Sequence, residues 1–156
     1  MKNIILLLLT AILFTGSTAL AKKAPNVAFE DLNGNKVYVS QFKGKPTVLV
    51  FWQVYCHSCK RELPAVSRLA KEYSDSVRFY AVVIGTRDIL LIEEKKMEWG
   101  FDLPVLIADY RAKSAFNIFG TPITVILDKD LNIVRKIIGS GKEKILKRTL
   151  DKLIQE

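Results

Sequence analysis

The sequence predicts an α/β domain: a central mixed sheet with a parallel core, flanked by helices. Three observations predict it. Thr47–Trp52 and Val77–Ile84 are continuous apolar runs rich in β-branched and aromatic residues, the pattern of strands buried on both faces. A stretch of helical period follows the first run, and Asp88 and Gly100 bracket a helix after the second. The resulting order, a β-hairpin, then β-α-β-α-β-α, then β-β-α, implies right-handed crossovers and a closing antiparallel pair. The chain has 156 residues, 49% of them hydrophobic, which suits one packed domain and excludes a disordered or collagen-like chain.

Val27 to Gln41 reads as a hairpin, because Asp31-Leu32-Asn33-Gly34-Asn35 supplies turn chemistry and Val37 and Val39 alternate with polar neighbours. After the loop 42–46 and strand 47–52, a helix is expected over 57–73. Its inner stripe is Leu63, Val66, Leu69, Ala70 and Tyr73, and Pro64 should kink it. Gly85 ends the second strand. Asp88 can cap a helix to Trp99, which Gly100 stops. Pro104–Ile107 is a short strand and Arg111–Asn117 a short helix. Gly120-Thr121-Pro122 leads into strand Ile123–Leu127, which turns through 128–132 into strand Ile133–Ile138. A final helix over Lys142–Ile154 presents Ile145, Leu146, Leu150, Leu153 and Ile154 inward.

Residues 1–21 stand apart. Lys2, the apolar run Ile4–Phe14 and the small-residue ending Ala19-Leu20-Ala21 describe a signal peptide cleaved after Ala21. The apolar core is shorter than the ~20 residues that span a bilayer as a helix. Residues 22–156 are then the folded domain, and the expected location is the periplasm or the extracytoplasmic side of the membrane. Retention of the segment would instead associate the domain with the membrane. The formal charge of +8 fits solubility and attraction to anionic surfaces. Basic residues form no stripe with aromatics, and export disfavours nucleic acid as a partner.

Two cysteines exclude a disulfide-stapled scaffold, and a single histidine cannot complete a Cys2His2 zinc site. Both cysteines lie in Cys56-His57-Ser58-Cys59, where strand 47–52 feeds the helix that follows. Cys56 therefore falls at a helix N-terminus, where free N–H groups and the macrodipole favour a thiolate. A thiol of pKa ~8.5 is only about 3% ionised at pH 7, and one of pKa ~7 is half ionised. Cys59, one turn on, can close a bridge or resolve a mixed disulfide. A structural staple is the bland alternative. Loop entropy assigns so short a loop only about 2 kcal/mol, so reactivity explains the pair better. Haem attachment needs a histidine after the second cysteine, and Lys60 stands there.

His57 is either a solvated residue of the first helical turn or a donor that stabilises the Cys56 thiolate. Trp52 is either ordinary core or a wall of the site.

Phe51-Trp52-x-x-x-Cys56-x-x-Cys59-Lys60, then Pro64, resembles the active-site stretch of thioredoxin-fold proteins, and Gly120-Thr121-Pro122-Ile123-Thr124 resembles their cis-proline loop. The run Asp31-Leu-Asn-Gly…Val39-Ser…Phe42-Lys-Gly-Lys45, with Val82-Val-Ile-Gly85, is similar to the exported TlpA/ResA-like branch, which includes reductases of cytochrome c maturation. The resemblance implies a thioredoxin fold with an N-terminal β-hairpin and an inserted βα unit. It implies that Cys56 attacks, Cys59 resolves and Pro122 is cis, so that the Thr121 backbone pairs with a substrate segment; the plain reading of Pro122 is a loop-to-strand entry. Trp52, His57 and Ser58 would support the site. Two departures stand out. Val50 and Thr86 occupy positions where relatives carry acids that deprotonate the second cysteine, so the base for Cys59 is unassigned; Glu62 and Asp88 are near in sequence.

The expectation is an exported thiol–disulfide oxidoreductase, monomeric and without cofactor or metal. Its partners would be protein dithiols or disulfides and a membrane or exported redox protein. Reduction of exported proteins, such as apocytochrome c, is the favoured direction. The alternatives are a disulfide-forming oxidant, a copper or zinc carrier, and a peroxide reductase. The last lacks its Thr-x-x-Cys loop, since Gln53 stands three residues before Cys56.

Overall fold

The computed structural model describes residues 22–155, so the signal segment expected over 1–21 lies outside the described residues. The chain forms β1 (Lys22–Lys23), β2 (Ala28–Asp31), β3 (Lys36–Tyr38), β4 (Thr47–Trp52), α1 (His57–Glu72), β5 (Arg78–Ile84), α2 (Ile89–Trp99), β6 (Val105–Ala108), α3 (Tyr110–Ala115), β7 (Ile123–Leu127), β8 (Asn132–Ile138) and α4 (Glu143–Gln155). The strands make one eight-stranded sheet in the order β1-β8-β7-β4-β5-β6-β2-β3. β4, β5 and β6 are parallel, and every other pairing is antiparallel.

β4 is buried along its whole length, as its continuous apolar run requires. Its alternate residues feed two cores. Val48, Val50 and Trp52 point to the layer holding α1, α2 and α4, where they meet Leu63, Val66, Ile92, Leu146 and Leu150. Leu49 and Phe51 point to the opposite layer, built from Phe29, Phe42, Ala112 and Phe116. Trp52 stands edge-on to Trp99 and Phe101 at 5.4 and 5.5 Å, pairs worth about 0.5–1.5 kcal/mol each beyond area burial.

Local signals act as their chemistry dictates. Asp88 caps α2, its Oδ1 accepting the Leu91 N–H at 3.1 Å, and Gly100 closes that helix at φ 67°. α1 runs through Pro64 as one helix. The hairpin turn is organised by Asp31, whose Oδ1 accepts from the Asn33 and Asn35 amides.

Two expectations need correcting, and one strand is new. The second hairpin strand ends at Tyr38, and Val39–Phe42 form a 3-10 turn. That turn buries both Val39 and Phe42, which a strand could not place on one face at odd spacing. β1 is an added edge strand, paired with β8 through Lys22 and Ile133. The inner face of α4 is narrower than its apolar content suggested. Leu146 and Leu150 are buried and Leu153 is half-buried, while Ile145 and Ile154 are exposed on the flanks.

Candidate active site

The site lies at the carboxyl end of β4, where Gln53–Tyr55 turn the chain into α1. The Cys56 N–H donates to Gln53 O at 3.1 Å, which tightens the turn. Cys56 then takes extended backbone angles and becomes the N-cap of α1. Its Sγ accepts the Cys59 N–H at 3.2 Å, and its carbonyl accepts the Cys59 and Lys60 amides. Sulfur thus occupies the place where a capping oxygen usually satisfies a free helix N–H. Such a position favours the thiolate over the thiol.

Cys56 and Cys59 form a disulfide, with Cα atoms 5.2 Å apart. Their exposures differ. Cys56 is half-buried, whereas Cys59 is fully buried in the α1 core layer. Only the first sulfur can meet a macromolecular partner.

The Thr121–Pro122 bond is cis. β7 pairs antiparallel with β4, Ile123 lying opposite Phe51, so Pro122 stands at the same end of the sheet as the cysteine turn. Thr121 Oγ1 donates to Gln53 Oε1 at 3.2 Å and so ties the proline loop to that turn. Among the described residues, the Thr121 N–H and C=O make no hydrogen bond, so both are open to a partner strand.

The other expected residues are placed plainly. His57 is exposed as the first residue of α1, and Ser58 is half-buried beside it. Trp52 is fully buried in the core layer that also holds Cys59, and its indole N–H has no partner. Val50 is core, and Thr86 Oγ1 accepts the Asp88 N–H. Asp88 is exposed and engaged as a cap. Glu62 is different. It is only 2% exposed, one turn beyond Cys59 on the same helix. Its Oε2 accepts the Gly141 N–H at 2.9 Å. Burial raises its pKa above the usual carboxylate value, against the pull of that amide. Gln53 escaped sequence reasoning as a site residue. Gly85, at φ 84°, leaves room for the Gln53 amide, since a Cβ there would lie 3.3 Å from Gln53 Nε2.

No group of three or more His, Cys, Asp or Glu residues suited to a metal ion occurs among the described residues. No described helix is long and apolar enough to cross a membrane.

A vicinal pair with one reachable and one buried sulfur, on a mixed sheet with a cis-proline loop beside it, defines the class: a thiol–disulfide oxidoreductase of thioredoxin fold. Residues 20–136 match the model of the AhpC/TSA family. The thiol-disulfide oxidoreductase ResA of Geobacillus thermodenitrificans is 30% identical over 167 residues, covering 98% of this chain and 94% of that one. ResA of Bacillus subtilis is 28% identical over 137 residues, covering 85% and 76%. The chain belongs to the AhpC/TSA family, on its ResA-like branch. Among solved structures, the thioredoxin domain of a thiol-disulfide oxidoreductase from Bacteroides vulgatus superposes with a TM-score of 0.75 at 24% identity, over 88% of this chain and 99% of that one. A thioredoxin-family thiol:disulfide interchange protein from Chlorobium tepidum gives 0.75 at 20% identity, over 87% and 98%. Both share the fold.

Proposed function

We propose that the protein works outside the cytoplasm as a reductant of protein disulfides, apocytochrome c among its candidate substrates. The observation that carries the exchange chemistry is the Cys56 sulfur at the N-cap of α1, receiving the Cys59 N–H while Cys59 itself is buried; the reducing direction rests on the likeness to the ResA-like branch. The leader-like segment 1–21 supports export, and its retention would tether the domain to the membrane.

The chemistry runs in two exchanges. The Cys56 thiolate attacks one sulfur of a substrate disulfide, forming a mixed disulfide and releasing the other substrate sulfur as a thiolate. Cys59 then loses its proton to the Glu62 carboxylate and attacks Cys56 Sγ. The second substrate sulfur departs as a thiolate and takes up the proton held by Glu62, and the Cys56–Cys59 bond re-forms, two electrons having passed to the substrate. A membrane or exported dithiol partner restores the reduced pair. The open Thr121 backbone pairs with an extended substrate segment as an added strand, held in place by the Thr121–Gln53 bond. His57, beside Cys56, stabilises the thiolate when protonated.

Replacing Cys59 with Ser halts the cycle at the mixed disulfide, so mass spectrometry of the trapped adducts identifies the substrates. Failure to trap any protein from the exported compartment would overturn the reading. A reduction potential of about −270 mV supports a reductant, and one of about −120 mV an oxidant. His57→Ala should lower the potential; no change would remove His57 from the site.

A further inference from the structure

We propose that the groove between α3 and the loop 117–119 is a second docking subsite for the substrate polypeptide, taking an apolar side chain with an acidic neighbour. The inference rests on the exchange reading above and adds to it what the substrate must carry beyond its cysteine.

The groove, of about 320 Å³, is lined by Tyr110, Lys113, Ser114, Asn117, Ile118 and Phe119. Its two aromatic rims are unusually open: Tyr110 is 80% and Phe119 76% exposed. Large rings left in water at one place mark a contact surface more than isolated exposure does. Ile118, beneath them, is buried and belongs to the core. The rim is built by the chain's own geometry. Asn117 takes a left-handed φ of 51° after α3, with its N–H on Ser114 O. That turn sends Ile118 inward and Phe119 outward.

Position connects the groove to the chemistry. Phe119 precedes Thr121 by two residues, and the Thr121 backbone is the open edge beside the cysteine turn. A strand that pairs with Thr121 and advances ~3.4 Å per residue reaches the groove about two to four residues from its own cysteine. Charge selects the neighbour. Lys113 is half-buried in the groove wall and pairs with no carboxylate among the described residues. The acid one turn before it, Asp109, is committed to capping α3 through the Ala112 N–H at 2.8 Å. No acidic residue lines the groove, so an incoming carboxylate meets an unneutralised cation.

The test uses the full chain with Cys59→Ser and symmetric peptide disulfides, in which either sulfur attacked gives the same adduct. The peptides carry Leu-Asp, Ser-Ser or Leu-Lys on both sides of the cysteine. Mass spectrometry follows mixed-disulfide formation on Cys56. The expected rate for Leu-Asp exceeds that for Ser-Ser by about tenfold. Adding Phe119→Ser reduces this ratio to about twofold or less. Adding Lys113→Glu reverses the order of Leu-Asp and Leu-Lys. Equal rates for all three peptides, or unchanged ratios in both variants, would overturn the docking subsite while leaving exchange intact. Failure to form an adduct even with 2-hydroxyethyl disulfide would overturn the exchange reading and the subsite with it.

Discussion

Under the proposed mechanism, replacing Glu62 with Gln removes the proton acceptor of Cys59 and little else. The amide matches the carboxylate in shape, and its carbonyl oxygen can still accept the Gly141 N–H that now binds Oε2. A positioned acid or base contributes roughly 10²–10⁴ in rate. The lower end applies here, because a carboxylate is a weaker base than a thiolate and each pKa unit of mismatch costs about tenfold. Burial narrows that mismatch by raising Glu62. Resolution of the mixed disulfide by Cys59 should therefore slow by about 10²-fold, while attack by Cys56 stays near the wild-type rate. Rapid-quench measurement of the two steps separates them. The wild-type resolution rate should climb with pH as Glu62 loses its proton, and the variant should lack that limb. Stability carries a matching signature. The unfolded carboxyl titrates near 4.5 and the folded one higher, so between those values the native state holds more protons and stability falls as pH rises. The Gln variant should lose this slope and be no less stable at pH 7. A variant that resolves within twofold of wild type, with the same pH profile, would refute the assignment.

Other perturbations test the frame around the sulfurs. Gly85→Ala places a side chain at φ 84° and 3.3 Å from Gln53 Nε2, so it should cost about 1–2 kcal/mol and lower Tm by several degrees in a thermal melt. Leu63, fully buried on the inner face of α1, should cost about 2–5 kcal/mol on replacement by Ala, read from urea unfolding. Asp88→Ala removes the α2 cap and should cost about 0.5–2 kcal/mol in the same assay.

What the sequence made readable was what neighbouring residues decide. The double-sided burial of β4 follows from its unbroken apolar run, the ends of α2 follow from Asp88 and Gly100, and the capping role of Cys56 follows from its place between strand and helix. What stayed hidden depends on distant partners. Glu62 looks like a solvated helix residue until Gly141, far along the chain, closes over it. Gln53 acquires a role only when β7 brings Thr121 beside it. β1 exists because β8 offers an edge. On α4, apolar composition overstated the buried face, since helix-to-sheet packing covers only the stripe through Leu146 and Leu150.

The central claim is that the Cys56 sulfur is ionised and reachable near neutral pH. Its direct measurement is the pH dependence of alkylation of the fully reduced protein, with the modified cysteine located by mass spectrometry. The account predicts that Cys56 reacts first, with a midpoint at least one unit below the ~8.5 of a free thiol, and that buried Cys59 reacts far more slowly. A midpoint at or above ~8.5 for Cys56, or faster labelling of Cys59, would contradict it.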